Sequence, residues 1–260
     1  MKPKKSLGQN FLEDKEILNK IVKLGNIKND DIVLEIGPGT GNLTEEILKK
    51  KPNKLIIVEK DKFLSTILEK KFGENVKIIN KDILECYQEL SYSKPIKVFG
   101  NLPYNISTKI LTSFININNL NKIVSKFIFV FQKEVAERIV AKENTREYGR
   151  LSILTSWKML SSKVLDISPN NFFPKPKVWS SLIILEPKKK IESLKKTKNL
   201  EHVTNIFFNQ RRKMIRQPMK QLFSNFENSA EKLDIDLNLR PQNLSANKYL
   251  EICKLYENLN

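Results

Sequence analysis

The feature that most constrains this chain is a series of short apolar runs, each closed by a glycine turn or a polar residue. Asp31-Ile32-Val33-Leu34-Glu35-Ile36 ends in Gly37-Pro38-Gly39-Thr40-Gly41. Leu55-Ile56-Ile57-Val58 is closed by Glu59, and Val76-Lys77-Ile78-Ile79 by Asn80-Lys81-Asp82. Ile96-Lys97-Val98-Phe99 runs through Gly100 into Asn101-Leu102-Pro103-Tyr104, and Phe127 to Phe131 form a fifth run. Stretches with helical spacing alternate with them: Glu13 to Leu24, a segment through Leu43, Ile47 and Leu48, and Phe63 to Phe72. Short apolar strands alternating with helices predict an α/β fold, a mainly parallel, doubly wound, Rossmann-like sheet covered on both faces. Val164 to Ile167 and Val178 to Leu185 are expected as late strands of the same sheet.

Beyond Glu186-Pro187 the character changes. Residues 187–220 hold eleven Lys or Arg and two Glu, with no strand-like run. Leu222, Phe223, Phe226, Leu233, Leu244, Tyr249, Leu250, Ile252, Leu255 and Tyr256 are then spaced for short helices. The expected organisation is a large domain over 1–186 and a small all-helical domain over 187–260.

Composition narrows the chemistry. A net charge of +17 and an isoelectric point near 9.7 suit a polyanionic partner, most often a nucleic acid. Cys86 and Cys253 are the only cysteines, which argues against a disulfide framework or a cysteine-rich zinc site. His202 is the single histidine, so a Ser-His-Asp triad or a multi-histidine metal site has little to build on. It reads as a surface or half-buried helix residue, and no metal is expected. No apolar run approaches the roughly 18–20 residues that span a membrane. The basic start, Met1 to Ser6, lacks the apolar segment of a signal peptide.

In an open parallel sheet, ligands sit beyond the carboxyl ends of the strands, where strand order reverses. Gly37 and Gly39 let the backbone turn and approach a ligand closely. Their Gly-x-Gly-x-Gly spacing differs from the dinucleotide pattern and favours S-adenosyl-L-methionine as cofactor. Glu59, at the end of the second strand, can accept both hydroxyls of a ribose. Asp82, at the end of the third, can accept an adenine amine. Either acid alone is commonly a helix cap; the ordered set of strand ends carries the reading. After the fourth strand, Asn101-Leu102-Pro103-Tyr104 suits an adenine amine as methyl acceptor. The lone pair of that amine is delocalised into the ring. The Asn101 side-chain oxygen and the Pro103 carbonyl are the expected acceptors of its two N–H groups, and Tyr104 is the stacking face for an extruded base. Phe172, on a proline-stiffened loop, is expected as the opposite wall.

Together these residues resemble the ribosomal RNA adenine N6-dimethyltransferases. The likeness runs through Leu7-Gly8-Gln9-Asn10-Phe11-Leu12, Glu35 to Thr44, Val58-Glu59-Lys60-Asp61 and Asn101 to Thr108. Gln132 to Arg138, Tyr148 to Ser152 and Gln210-Arg211-Arg212-Lys213 resemble the branch acting on the small subunit. The resemblance implies dimethylation of two adjacent adenosines near the 3′ end of 16S rRNA, in the immature small ribosomal subunit. It also implies that Asn10 and Leu12 contact the cofactor, and it adds Asn101 to that set. Arg211, Arg212 and Lys213 are expected to face RNA. A monomer is expected, and a bacterial cytoplasm, because the Gln-Asn-Phe-Leu motif leaves no room for an organelle presequence. Lys81, Ile83, Trp179 and residues 214–219 depart from the family pattern. Two other readings are a large-subunit adenine methyltransferase of the macrolide-resistance type and an assembly factor with secondary catalysis. Leu102 and the basic stretch at 210–213 count against the first.

Overall fold

The computed structural model describes residues 3–4, 7–89 and 92–259. Nine strands are described: β1 (Phe11–Leu12), β2 (Ile32–Ile36), β3 (Lys54–Val58), β4 (Lys77–Ile79), β5 (Ile96–Asn101), β6 (Val124–Gln132), β7 (Met159–Ile167), β8 (Phe172–Phe173) and β9 (Ser180–Pro187). The α-helices, in chain order, are α1 (Lys15–Gly25), α2 (Asn42–Leu48), α3 (Lys62–Phe72), α4 (Ile83–Cys86), α5 (Ser107–Ile115), α6 (Leu120–Ile123), α7 (Lys133–Val140), α8 (Arg150–Lys158), α9 (Thr197–Asn209), α10 (Arg216–Leu222), α11 (Phe226–Lys232) and α12 (Ala246–Leu259).

The chain divides into two compact units, residues 1–136 with 161–187, and residues 137–160 with 188–260. This corrects the expected boundary after residue 186. Residues 137–160 belong with the C-terminal helices, because α8 packs on α9 and α12 rather than on the sheet helices. The sequence around α8 carries no break that marks the change of unit.

The first unit is built on a seven-stranded sheet in the order β4-β3-β2-β5-β6-β9-β7. The strands β4 to β6 pair in parallel. The last, β9, inserts antiparallel against β6, with Phe129 opposite Ile183. Every residue of β2 is buried, as expected of a strand covered on both faces. The α1 helix begins at Asp14, whose carboxylate accepts from the Glu16 and Ile17 N–H groups. Its buried stripe, Leu18, Ile21 and Val22, joins Val33, Ile57, Phe99 and Ile128 in one core cluster. Strand order reverses between β2 and β5, which opens a crevice at their carboxyl ends. A separate two-stranded ribbon pairs β1 with β8, Leu12 opposite Phe172.

In the second unit, Tyr249 packs edge-on against Phe207 and donates its hydroxyl to the Pro241 carbonyl at 2.8 Å. Buried Tyr148 donates to the Leu244 carbonyl at 3.0 Å. Glu257 of α12 accepts from the Lys195 and Lys196 N–H groups at 2.8 and 3.0 Å and from Asn199 Nδ2 at 2.9 Å, and so closes the start of α9. His202 is exposed on α9, its ring beside Tyr256.

Candidate active site

A cleft of about 1120 Å3, its open mouth included, lies at the carboxyl ends of β2, β3 and β5. Its walls include Asn10, Leu12, Gly37, Glu59, Asp82, Asn101 and Pro103. The structure thus gathers most of the expected site residues from segments 90 residues apart in the chain.

The glycine loop has left-handed backbone at Gly37, Gly39 and Gly41, with φ of 64°, 58° and 81°. At Gly39 a Cβ atom would stand 2.6 Å from the ring of Phe11. At Gly37 the nearest atom would be Pro103 Cδ, 3.9 Å away, so a side chain there would project into open space beside the asparagine turn. Gly39 shapes the loop from behind and does not line the cleft; its N–H donates to Glu59 Oε2 at 3.3 Å. Glu59 is 6 % exposed, and its other oxygen accepts from the Asp61 N–H at 2.8 Å. Burial pushes the Glu59 carboxyl above the ordinary range, against the pull of these two N–H groups.

Asp82 serves both as helix cap and as cleft wall. One oxygen accepts from the Leu84 N–H at 2.9 Å, and the other pairs with Lys60 Nζ at 2.8 Å. Burial opposes ionisation, but Lys60 and the cap outweigh it and hold the carboxyl below its usual value. Asp61 caps α3 through the Phe63 N–H. Its carboxylate also takes Lys4 Nζ at 3.0 Å and Gln9 Nε2 at 3.3 Å. Burial raises this carboxyl, and those hydrogen bonds more than reverse the effect.

Sequence reasoning missed Lys60, Gln9, Lys4 and Glu35. Glu35 is 1 % exposed and lines the cleft, and Thr44 donates to it at 2.6 Å. Burial first, then the nearby charge of Glu59, raises it to about 8. Its alternation with apolar neighbours looked like an ordinary strand. The flanking departures are innocuous to Asp82: Lys81 is exposed and pairs with Glu89, and Ile83 is buried.

The asparagine turn closes β5. Asn101 Nδ2 donates to the Asn10 carbonyl at 2.6 Å, which leaves Oδ1 as an acceptor. The Pro103 carbonyl accepts from the Ile106 N–H at 3.1 Å and keeps a second lone pair. Behind the turn, a Cβ at Gly100 would stand 2.7 Å from Leu102 Cδ2 and 3.0 Å from the Ile36 carbonyl oxygen, so a larger residue there would force a shift beside β2. Asn42 Nδ2 donates to the Leu12 carbonyl at 3.0 Å, fixing the N-terminal segment against α2.

Two expected aromatics stand outside the lining of this cleft. Tyr104 is half-buried beside the turn, its hydroxyl bonded to Ser180 Oγ, and it does not line the cleft. Burial raises its phenol. Phe172 is 5 % exposed within the core cluster, so it is a packing residue here rather than an opposite wall. Alternation along β8 turns Phe172 inward and Phe173 outward, the latter 52 % exposed.

In the second unit, the basic stretch splits. Arg211 Nε donates to Gln242 at 3.2 Å, and its guanidinium reaches the carbonyls of Thr145 and Arg146. It braces a loop through these bonds. Arg212 and Lys213 are exposed. Among the described residues, no group of three or more His, Cys, Asp or Glu is arranged to hold a metal ion. No helix there is long and apolar enough to cross a membrane.

Comparison with known proteins agrees with this geometry. Residues 1–258 match the family model of ribosomal RNA adenine dimethylase. The chain is 53% identical over 259 residues to ribosomal RNA small subunit methyltransferase A of Pelagibacter ubique (strain HTCC1062), covering 100% of this chain and 98% of the relative. It is 39% identical over 265 residues to the protein of the same name from Wolbachia sp. subsp. Brugia malayi (strain TRS), again over 100% and 98%. A dimethyladenosine transferase from Plasmodium falciparum superposes with a TM-score of 0.77 at 26% identity, over 93% of this chain and 95% of that one. The 23S rRNA methyltransferase ErmE superposes at 0.69 with 21% identity over 95% and 99%, a likeness of fold. A parallel sheet with a glycine loop, ordered strand-end acids and an asparagine turn thus meets a match along nearly its whole length: the chain belongs to the ribosomal RNA adenine dimethylase family.

Proposed function

We propose that this chain transfers methyl groups from S-adenosyl-L-methionine to the N6 amines of two adjacent adenosines near the 3′ end of 16S rRNA. The products are N6,N6-dimethyladenosines, formed in the immature small subunit. Full-length identity of 53% to a small-subunit methyltransferase supports the substrate. The expectations of a monomer and of a cytoplasmic location rest on the family resemblance.

The residues present fit the cofactor. The open side of Gly37 is the space a ligand would fill, and any larger residue would occupy it. Glu59 would take the ribose hydroxyls, Asp82 the adenine amine, and the segment from Asn10 to Leu12 the remaining wall. When bound, S-adenosyl-L-methionine supplies a methyl group on a sulfonium leaving group.

The observation that carries the reading is the Asn101–Asn10 hydrogen bond. It commits the amide nitrogen to the backbone and leaves Oδ1 to accept from a donor bound in the cleft. With the spare lone pair of the Pro103 carbonyl, it gives two acceptors for the two N–H groups of adenine. Holding both turns the nitrogen lone pair out of the ring plane and towards the methyl donor. Tyr104, beside the turn and outside the cofactor cleft, would present its ring to the extruded base, with its hydroxyl anchored on Ser180. The nitrogen gains a methyl group and then loses a proton to water, which restores the lone pair for the second transfer. In the second unit, Arg212 and Lys213 would contact phosphate without reading sequence.

Asn101→Ala tests this. Small subunits lacking the modification are methylated with labelled cofactor, and the label is mapped by subunit and position. The expected loss is about 2–4 kcal/mol of transition-state stabilisation, by analogy with other positioned polar groups. Subunit binding should survive. Methylation near the wild-type rate, or label confined to the large subunit, would overturn the proposal.

A further inference from the structure

The segment Leu7–Leu12 lines the cleft from one side, and it is fastened at both ends of the site. At the asparagine turn, the Asn10 carbonyl accepts from Asn101. At the other end the fastening is Asp61, only 5 % exposed. Lys4 Nζ lies 3.0 Å from both carboxylate oxygens, and Gln9 Nε2 reaches Oδ2 at 3.3 Å. The Lys4 N–H donates to Gln9 Oε1 at 2.7 Å, which fixes the orientation of the Gln9 amide.

A helix cap needs one oxygen, and Oδ1 of Asp61 supplies it to the Phe63 N–H at 3.0 Å. An asparagine or serine would do as much. The second oxygen and the negative charge are directed to the N-terminal segment. The Asp61 N–H meanwhile donates to Glu59 at 2.8 Å. One residue therefore touches both the strap and the acid assigned to the ribose.

We propose that Asp61 is a positioning residue, which with Lys4 and Gln9 forms a latch holding the N-terminal strap across the cofactor cavity and Glu59 in place. The proposal rests on reading the cleft as the S-adenosyl-L-methionine site. Its consequence is kinetic: the cofactor leaves only when the latch opens.

The test uses the full chain, with Lys4→Met, Asp61→Asn and the double variant. Asparagine retains the cap, so Asp61→Asn should fold. Calorimetry gives the Kd for S-adenosyl-L-methionine, stopped-flow its dissociation rate, and labelled transfer to small subunits its KM and kcat. Loss of a partly screened, charge-assisted contact should raise Kd, dissociation rate and cofactor KM about five- to tenfold in each single variant. The change in KM should exceed any change in kcat. The double variant should be no worse than Asp61→Asn, because both remove the same latch. Salt should raise the wild-type dissociation rate towards that of the variants, since the Lys4 side chain is 53% exposed. Values within twofold of wild type in both single variants would overturn the latch, as would effects that multiply in the double variant. Failure of the wild-type chain to bind the cofactor at all would instead overturn the reading of the cleft, and the latch with it.

Discussion

Gly39→Ala should destabilise the first unit far more than Gly37→Ala, although both glycines have left-handed backbone. The φ of 58° at Gly39 costs an alanine about 1 kcal/mol relative to glycine. The added methyl would also stand 2.6 and 2.7 Å from two ring carbons of Phe11. That ring has little freedom to yield, because Phe11 is 8 % exposed and its backbone pairs with Phe173. Overpacking of this kind costs about 1–3 kcal/mol more, for a total of about 2–4 kcal/mol. At Gly37, with a φ of 64° and nothing nearer than 3.9 Å, only the backbone cost of about 1 kcal/mol applies. Urea unfolding without cofactor, followed by the midpoints of both variants against wild type, measures the difference. Equal midpoints would refute the argument that Phe11, rather than backbone geometry, makes Gly39 obligatory. Cofactor affinity should show the opposite ranking relative to stability, since the Gly37 methyl would enter the cleft.

Glu35 predicts a pH dependence. Its carboxyl is raised from 4.5 to about 8, so its neutral form is the one the fold favours. The stability it contributes is complete below pH 4.5 and is lost as pH rises through 8. Melting temperatures of the cofactor-free chain between pH 5 and 8.5 should fall more steeply for wild type than for Glu35→Gln, and parallel curves would refute the assignment. In the second unit, replacing Arg212 and Lys213 together by alanine should reduce the salt slope of subunit binding by about 2; an unchanged slope would exclude them from the phosphate contact. Arg211→Ala should instead lower the melting temperature, because it releases the loop at Thr145 and Arg146, and a loss of salt slope with full stability would count against the brace.

The sheet was legible because buried parallel strands are apolar on both faces and here end in polar groups that line the cleft. Glu59, Asp82 and Asn101 could be placed on the cleft wall from position alone for that reason. What depends on side chains meeting across the chain was not legible. Phe172 and Phe173 are chemically equivalent, and only the pairing of β8 with β1 decides which is buried. Half of β7 escaped notice because Ser161, Ser162 and Lys163 lie on an edge strand, where polar residues cost little. Arg211 and Arg212 are adjacent and alike in sequence, yet one is held by backbone carbonyls and the other faces solvent. The membership of 137–160 was hidden because it depends on helices that begin only at Thr197.

The insertion of β9 beside β6 has a consequence for the order of synthesis. While the chain is being made, β6 can pair with β5 on one side, but its other edge stays open until residue 187 has left the ribosome. That edge carries Phe127, Phe129 and Phe131, all fully buried in the finished sheet. Residues 137–160 emerge in the meantime with no partner helices, since α9 and α12 are still unmade. The nascent first unit thus exposes an aromatic strand edge for some 50 residues of translation, the kind of surface that invites strand pairing between neighbouring chains. Completion of the sheet and of the helical unit is deferred to the last third of the chain, so truncated products should be the ones that aggregate.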